Sequence, residues 1–120
     1  MTQLASDLAG DTPQLSWITP GLCHDGHDCS RWVADQWLAA TVPQILASPA
    51  WQDNGVLFIT ADEGDGASDR VPLVVVSPEV HAQQLTASYD HFSLLATLAD
   101  NLGVARPGQS AQADPIILTG

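Results

Sequence analysis

The stretch "CHDGHDC", Cys23 to Cys29, sets two histidines and two aspartates between two cysteines. Imidazole and carboxylate are both ligands for divalent metals. A carboxylate next to an imidazole also fixes its tautomer and raises its basicity. The spacing admits two arrangements. His24 and His27, three apart on a tight loop, can face one pocket; or Asp25 and His27, two apart, share a side and leave His24 out. Two further groups carry the same kinds of atoms: Asp62 and Glu63 in "TADEG", and His91 in "YDHFS". Each group also has an ordinary reading. Asp62 and Glu63 suit a solvated acidic turn, His91 the surface of a helix start, and His24 and His27 a surface loop. His81 stands alone and is given no role. Cys23 and Cys29 can close one small loop, as suits an oxidising compartment, or remain two thiols.

For these residues to act together, the elements around them must deliver them to one place. Residues 2–9 suit a short helix with Leu4 and Leu8 on one face, ended by "GDTP". "LSWIT", 15–19, predicts a brief strand stopped by Pro20, which puts the histidine cluster on the loop after a strand. From Trp32 to Ser48 the pattern is helical, with Leu38, Val42, Ile45 and Leu46 on one face. Pro43 inside this run predicts a kink or two abutting helices. "SPAWQDNG" reads as a loop. "VLFIT", 56–60, and "VPLVVVS", 71–77, are near-continuous apolar runs, the pattern of strands buried on both faces in a parallel sheet.

"SYDHFSLLATLADNLG" predicts a helix capped by Asp90 or Ser88, with Leu94, Leu95, Leu98 and Leu102 on its apolar face and Gly103 at its end. The tail, 105–120, is rich in Pro, Gly, Gln and Ala and is expected to be loosely ordered, with a short strand at Ile116–Leu118. The expected fold class is therefore α/β, a layered, mostly parallel sheet with flanking helices. Ligands bind such sheets at the carboxyl ends of the strands, and on that rule the three polar groups fall on one edge.

The totals narrow the partners. The 120 residues allow one domain, and 45% of them are hydrophobic, enough for a core. Fourteen acids face three bases, Arg31, Arg70 and Arg106, for a net charge of -11. That balance disfavours nucleic acid, whose phosphates need Lys and Arg to displace counterions, and anionic membrane surfaces. A phosphate-bearing substrate would need a metal to offset the carboxylates. No apolar run reaches the length of a membrane span, and "MTQLASDLAG" lacks the basic start and apolar stretch of a signal peptide.

Four motifs in order, "SWITPGLCHDGHDC", "ADQWLAATVPQILASPAWQDNGVLFITADEG", "VPLVVVSP" and "SYDHFSLLATLADNLG", together resemble the C-terminal half of the phosphoesterase family. The likeness covers about residues 15 to 104. The family includes bacterial acid phosphatases and phosphatidylinositol-3-phosphatase-like enzymes, and it belongs to the alkaline phosphatase-like superfamily. The resemblance implies a metal-dependent phosphate ester hydrolase with a divalent ion of unspecified identity. It maps metal binding to Asp62 and Glu63, with Asp25 and Asp28 as further ligands, and phosphoryl or leaving-group contacts to His27 and His91. Relatives often carry Asn where this chain has His24, so Asp25, His27 and Asp28 form the working set. This chain also departs from the usual "YNHYSLL" at Asp90 and Phe92.

Family members carry their nucleophile and a first acidic/amide metal pair in an N-terminal half. None of Thr19, Ser30, Thr60 or Ser93 sits in a matching motif. The expectation is that residues 1–104 are the C-terminal half of a phosphoesterase domain, truncated and inactive alone. The expected substrate is a phosphorylated small molecule or a phospholipid headgroup, and full-length relatives are expected to be secreted or periplasmic. The alternatives are a non-catalytic acidic domain that binds a metal or a partner, and a phospholipase C-type phosphodiesterase.

Overall fold

Helix α1, Thr2–Ala9, forms where expected and half-buries Leu4 and Leu8. Thr12 Oγ1 then donates to the carbonyl of Asp7 at 2.7 Å and turns the chain at the helix end. The structure is a computed structural model that describes residues 2–64 and 66–118. The chain divides into two units, Met1–Pro78 and Glu79–Gly120.

In the first unit, residues 15–19 form no strand, so the expected "LSWIT" strand is corrected to irregular backbone. Trp17 is largely exposed, and the segment has no strand neighbour to complete a ladder. Helix α2, Arg31–Leu46, follows the cysteine-bounded loop and runs through Pro43 without dividing. Its Leu38, Val42, Ile45 and Leu46 are half-buried, as their spacing predicts. The break comes later, at Ser48. Its hydroxyl donates to the carbonyl of Ile45 at 2.7 Å and accepts the Trp51 N–H at 3.2 Å. That cap, with Pro49 at the first helical position, starts the one-turn helix α3, Pro49–Gln52, inside the segment expected to be a loop. Helix α3 packs on both α1 and α2.

The two apolar runs become strands β1, Leu57–Thr60, and β2, Leu73–Val76. They pair antiparallel, Leu57 opposite Val76 and Thr60 opposite Leu73, in a two-stranded sheet. The layered parallel sheet is thereby corrected among the described residues. Continuous apolar runs read as doubly covered strands, yet Leu73 and Val74 are substantially exposed. The hairpin places the chain leaving β1 beside the chain entering β2, and Thr60 Oγ1 donates to the carbonyl of Pro72 across that end at 2.8 Å.

The second unit centres on helix α4, His91–Asn101. Asp90 caps it, its Oδ1 accepting the Ser93 N–H at 2.9 Å. At the other end the Gly103 N–H bonds the Asp100 carbonyl and the Val104 N–H the Ala99 carbonyl. This paired closure needs the left-handed φ of 65° that Gly103 supplies. Leu94, Ala96 and Ala99 are buried, but Leu95 is 39% exposed, so the apolar face is narrower than the leucine pattern predicts.

Residues 108–112 form a 3-10 helix that packs on α4. Ile116 is buried without forming a strand, and its N–H donates to Thr97 Oγ1 at 2.7 Å. Arg106 donates through Nε to Asp100 Oδ1 at 2.7 Å and through Nη1 to the Ala113 carbonyl at 3.0 Å. Residues 105–118 thus follow a defined path along α4.

Candidate functional site

The loop between residues 21 and 29 is built from its own backbone. The N–H groups of His24 and Asp25 both bond the Gly21 carbonyl, at 2.6 and 3.2 Å, and the Asp28 N–H bonds the Leu22 carbonyl at 2.8 Å. Gly26 takes a φ of 92°, which a side chain would resist, and so reverses the chain between the two His-Asp pairs. Cys23 and Cys29 are joined in a disulfide that closes the loop at its base.

Within this ring, both acids engage His27. Asp25 Oδ1 accepts the His27 backbone N–H at 2.9 Å, and Asp28 Oδ1 lies 2.8 Å from the ring Nδ1. A carboxylate only accepts, so Nδ1–H is the donor and Nε2 is left for another partner. The hydrogen bond to Asp28 and the charge of Asp28 hold the His27 pKa above its usual 6.5. Slight burial opposes the lift, and the charges of Asp25 and Glu63 add to it. The two side chains are 71% and 56% exposed, so the pair is open to solvent. His24 points its ring elsewhere, stacked on Trp37 of α2 with centroids 6.2 Å apart and planes 18° from parallel.

The second candidate group leaves β1. Asp62 Oδ1 accepts the Glu63 N–H at 3.1 Å, and Asp69 Oδ1 accepts the Gly64 N–H at 2.8 Å, folding the connection back on itself. A Cβ on Gly64 would stand 2.5 Å from the Arg70 nitrogen, so this closure has room only for glycine. The structure brings together Asp25, His27 and Asp28. His91 lies in the second unit, at the first position of α4, directly after the capping Asp90.

Among the described residues, no three His, Cys, Asp or Glu side chains gather into a set able to hold a metal ion. The surface grooves lined by Ala5, Leu8 and Gln44, and by Leu4, Leu15 and Trp17, contain none of the candidate residues. Sequence reasoning missed Trp37 and Asp69. Trp37 offered no signal, because an aromatic residue inside an amphipathic helix reads as core. Asp69, in a glycine-rich loop, carried the usual signature of a residue that bonds turn backbone.

Comparisons with known proteins agree with one another. The chain is 30% identical over 105 residues to phosphatidylinositol-3-phosphatase of Mycobacterium tuberculosis, an alignment covering 87% of this chain and 35% of that protein. It is 30% identical over 103 residues to the phosphate-repressible acid phosphatase of Penicillium chrysogenum, covering 81% of this chain and 25% of that one. An acid phosphatase of Aspergillus fumigatus is 26% identical over 116 residues, covering 90% of this chain and 26% of its own length. The chain thus spans about a quarter to a third of the curated relatives it matches. No solved structure matches it, and the alkaline phosphatase-like architecture gains no support from that quarter. Residues 1–105 match the Phosphoesterase family throughout, and the chain belongs to that family.

Proposed function

We propose that this chain supplies the imidazole–carboxylate part of a phosphate ester hydrolase site, of the acid phosphatase-like phosphomonoesterase kind, which other chain segments complete. The supporting observation is that the imidazole of His27 bonds Asp28 of its own loop while Asp25 accepts its backbone N–H.

With Nδ1–H held by Asp28, the Nε2 side of His27 faces the chemistry. When protonated, its Nε2–H binds a non-bridging phosphoryl oxygen. As the P–O bond to the leaving group breaks, that proton passes to the departing alkoxide oxygen. The nucleophile is not assigned to any residue of this chain. His91 is proposed as a second imidazole on the resemblance in "SYDHFSLL" alone.

Asp25, Asp28, Asp62 and Glu63 offer the hard oxygen donors that suit a divalent cation. Because no complete donor set forms among the described residues, no step is assigned to an ion. Metal binding is proposed only for a site whose remaining donors lie elsewhere. The substrate class is a phosphorylated small molecule or a phospholipid headgroup. The disulfide at the base of the loop suits a secreted or periplasmic setting. No described helix is long and apolar enough to cross a membrane.

The test is a phosphatase assay on a phosphomonoester and a phosphodiester, with and without added divalent ions. The 120-residue chain is compared with a longer polypeptide carrying the rest of the family domain. The short chain is expected to be inactive, the long one active on the monoester, and His27→Ala in the long one to cost roughly 10²–10⁴ in kcat. Turnover by the short chain at the rate of the long one, or an indifferent His27→Ala, would overturn the reading. Preference for the diester would select the phospholipase C-type alternative. Calorimetric titration of the short chain with Mn²⁺ or Zn²⁺ separately tests the ion, with weak or no binding expected.

A further inference from the structure

The loop of residues 21–29 is rigid within itself but needs more than that to hold His27 in place. Its internal hydrogen bonds and the Cys23–Cys29 disulfide fix its shape. They do not fix its direction, because all of them lie between residues 21 and 29. The backbone on either side of the ring, at Pro20 and Ser30, is irregular, so a ring held by it could swing as a body, carrying His27 with it. A second point of attachment removes this freedom. The His24 ring provides one, lying nearly parallel to the indole of Trp37 in α2, at a centroid distance of 6.2 Å, within the range of offset aromatic pairs. Trp37 is half-buried in the body of α2, so it is a fixed platform.

We infer that His24 is a positioning residue: its stack on Trp37 pins the disulfide-closed loop to α2 and so fixes where the His27–Asp28 pair is presented. The bearing on hydrolysis rests on the function proposed above; the positional inference does not. It assigns to His24 a role in holding the loop rather than in binding a metal or substrate. The face of the ring performs that role, so a phenyl ring can substitute for it.

The experiment uses the whole 120-residue chain, by NMR, at one fixed pH. Three variants are compared, His24→Ala, His24→Phe and Trp37→Leu, with thermal unfolding as the check that each is folded. Two signals are read: the 15N order parameter of the Asp28 amide, which falls when the loop swings as a body, and the ring-current shift of the His24 ring protons. Trp37→Leu is expected to abolish the ring-current shift. His24→Ala is expected to lower the Asp28 order parameter from the rigid-backbone value of about 0.85 to below about 0.6, and His24→Phe to restore it.

Because His24 is on the surface, its alanine variant keeps the fold even if Trp37→Leu does not. An unchanged Asp28 order parameter in His24→Ala overturns the inference. So does a phenylalanine variant as loose as the alanine one. A loop that loosens as expected while His27→Ala leaves the longer polypeptide's hydrolysis intact would defeat the phosphatase reading and leave the positional one standing.

Discussion

The ring Nδ1 of His27 lies 2.8 Å from Oδ1 of Asp28, its next neighbour in the chain. Adjacent residues seldom face each other. Here the reversed backbone at Gly26 and the His27 N–H bond to Asp25 turn the imidazole back over its own loop. The pair is thus a product of local geometry, and it forms without any distant element.

Asp28→Asn should return the His27 pKa toward 6.5. The lift comes first from the hydrogen bond and charge of Asp28, and only afterwards from Asp25 and Glu63. The sign for stability follows. A raised histidine pKa means the folded state favours the proton, so the contribution is full below the ordinary pKa and fades as pH rises through the elevated one. Ring-proton titration by NMR gives the midpoint in parent and variant. An identical midpoint in both would show that Asp28 does not hold the ring.

Asp100 behaves in the opposite sense. The hydrogen bond and charge of Arg106 hold its pKa below the ordinary 3.8, with slight burial opposing. Its contribution is present above the ordinary carboxylate pKa and is lost as pH falls through the depressed one. Arg106→Leu should therefore lower the thermal midpoint more at pH 7 than at pH 2. A constant loss from the bond to the Ala113 carbonyl should remain at both. Equal losses at the two pH values would count against the ion pair.

Thr97 is the strap of the second unit. Its hydroxyl donates to the Ser93 carbonyl and accepts the N–H of buried Ile116, both at 2.7 Å. Thr97→Val keeps the shape and removes the acceptor, leaving a buried N–H unpaired, at a cost of about 1–3 kcal/mol. Thr97→Ser should recover most of it. Urea unfolding of the three proteins checks the order, and a valine variant as stable as the serine one would remove the strap.

Replacing Cys23 and Cys29 by Ser together opens a ring of only a few residues. The entropic model gives a loss of about 2 kcal/mol. The thermal midpoint should fall modestly, while the amides of His24, Asp25 and Asp28 should exchange faster, because these donors lie in the ring and their acceptors, the Gly21 and Leu22 carbonyls, stand directly before it. Unaltered exchange at those three amides would show that the backbone bonds hold the loop without the sulfur bridge.

Much of the helical content was legible because it rests on short-range rules. Leu4 and Leu8, the stripe from Leu38 to Leu46, and the Asp90 cap all act within a few residues of themselves. The strands were located but misdirected. The Val56–Thr60 and Val71–Ser77 runs are apolar enough for a doubly covered sheet, and periodicity carries no information about direction. That depends on which segments pair, a long-range matter. The packing of residues 105–118 escaped composition for a similar reason. A single threonine hydroxyl and one arginine, not an apolar pattern, fasten it to α4. At the candidate site the residue types were readable, while the bond between His27 and Asp28 depends on the backbone reversal at Gly26. The platform under His24 was not, since nothing in the order of residues says which helix face a loop will lie against.

The openness of the His27–Asp28 pair carries one more consequence. With 71% and 56% of their side chains in contact with water, bulk counterions reach both partners. Fields acting through solvent weaken as the Debye length contracts, to about 8 Å at physiological ionic strength and about 3 Å at 1 M. The contact with Asp28 survives such shielding, whereas the pull of Asp25 and Glu63 fades. Sodium chloride alone, at fixed acidity, would thus retune how tightly this ring keeps its proton.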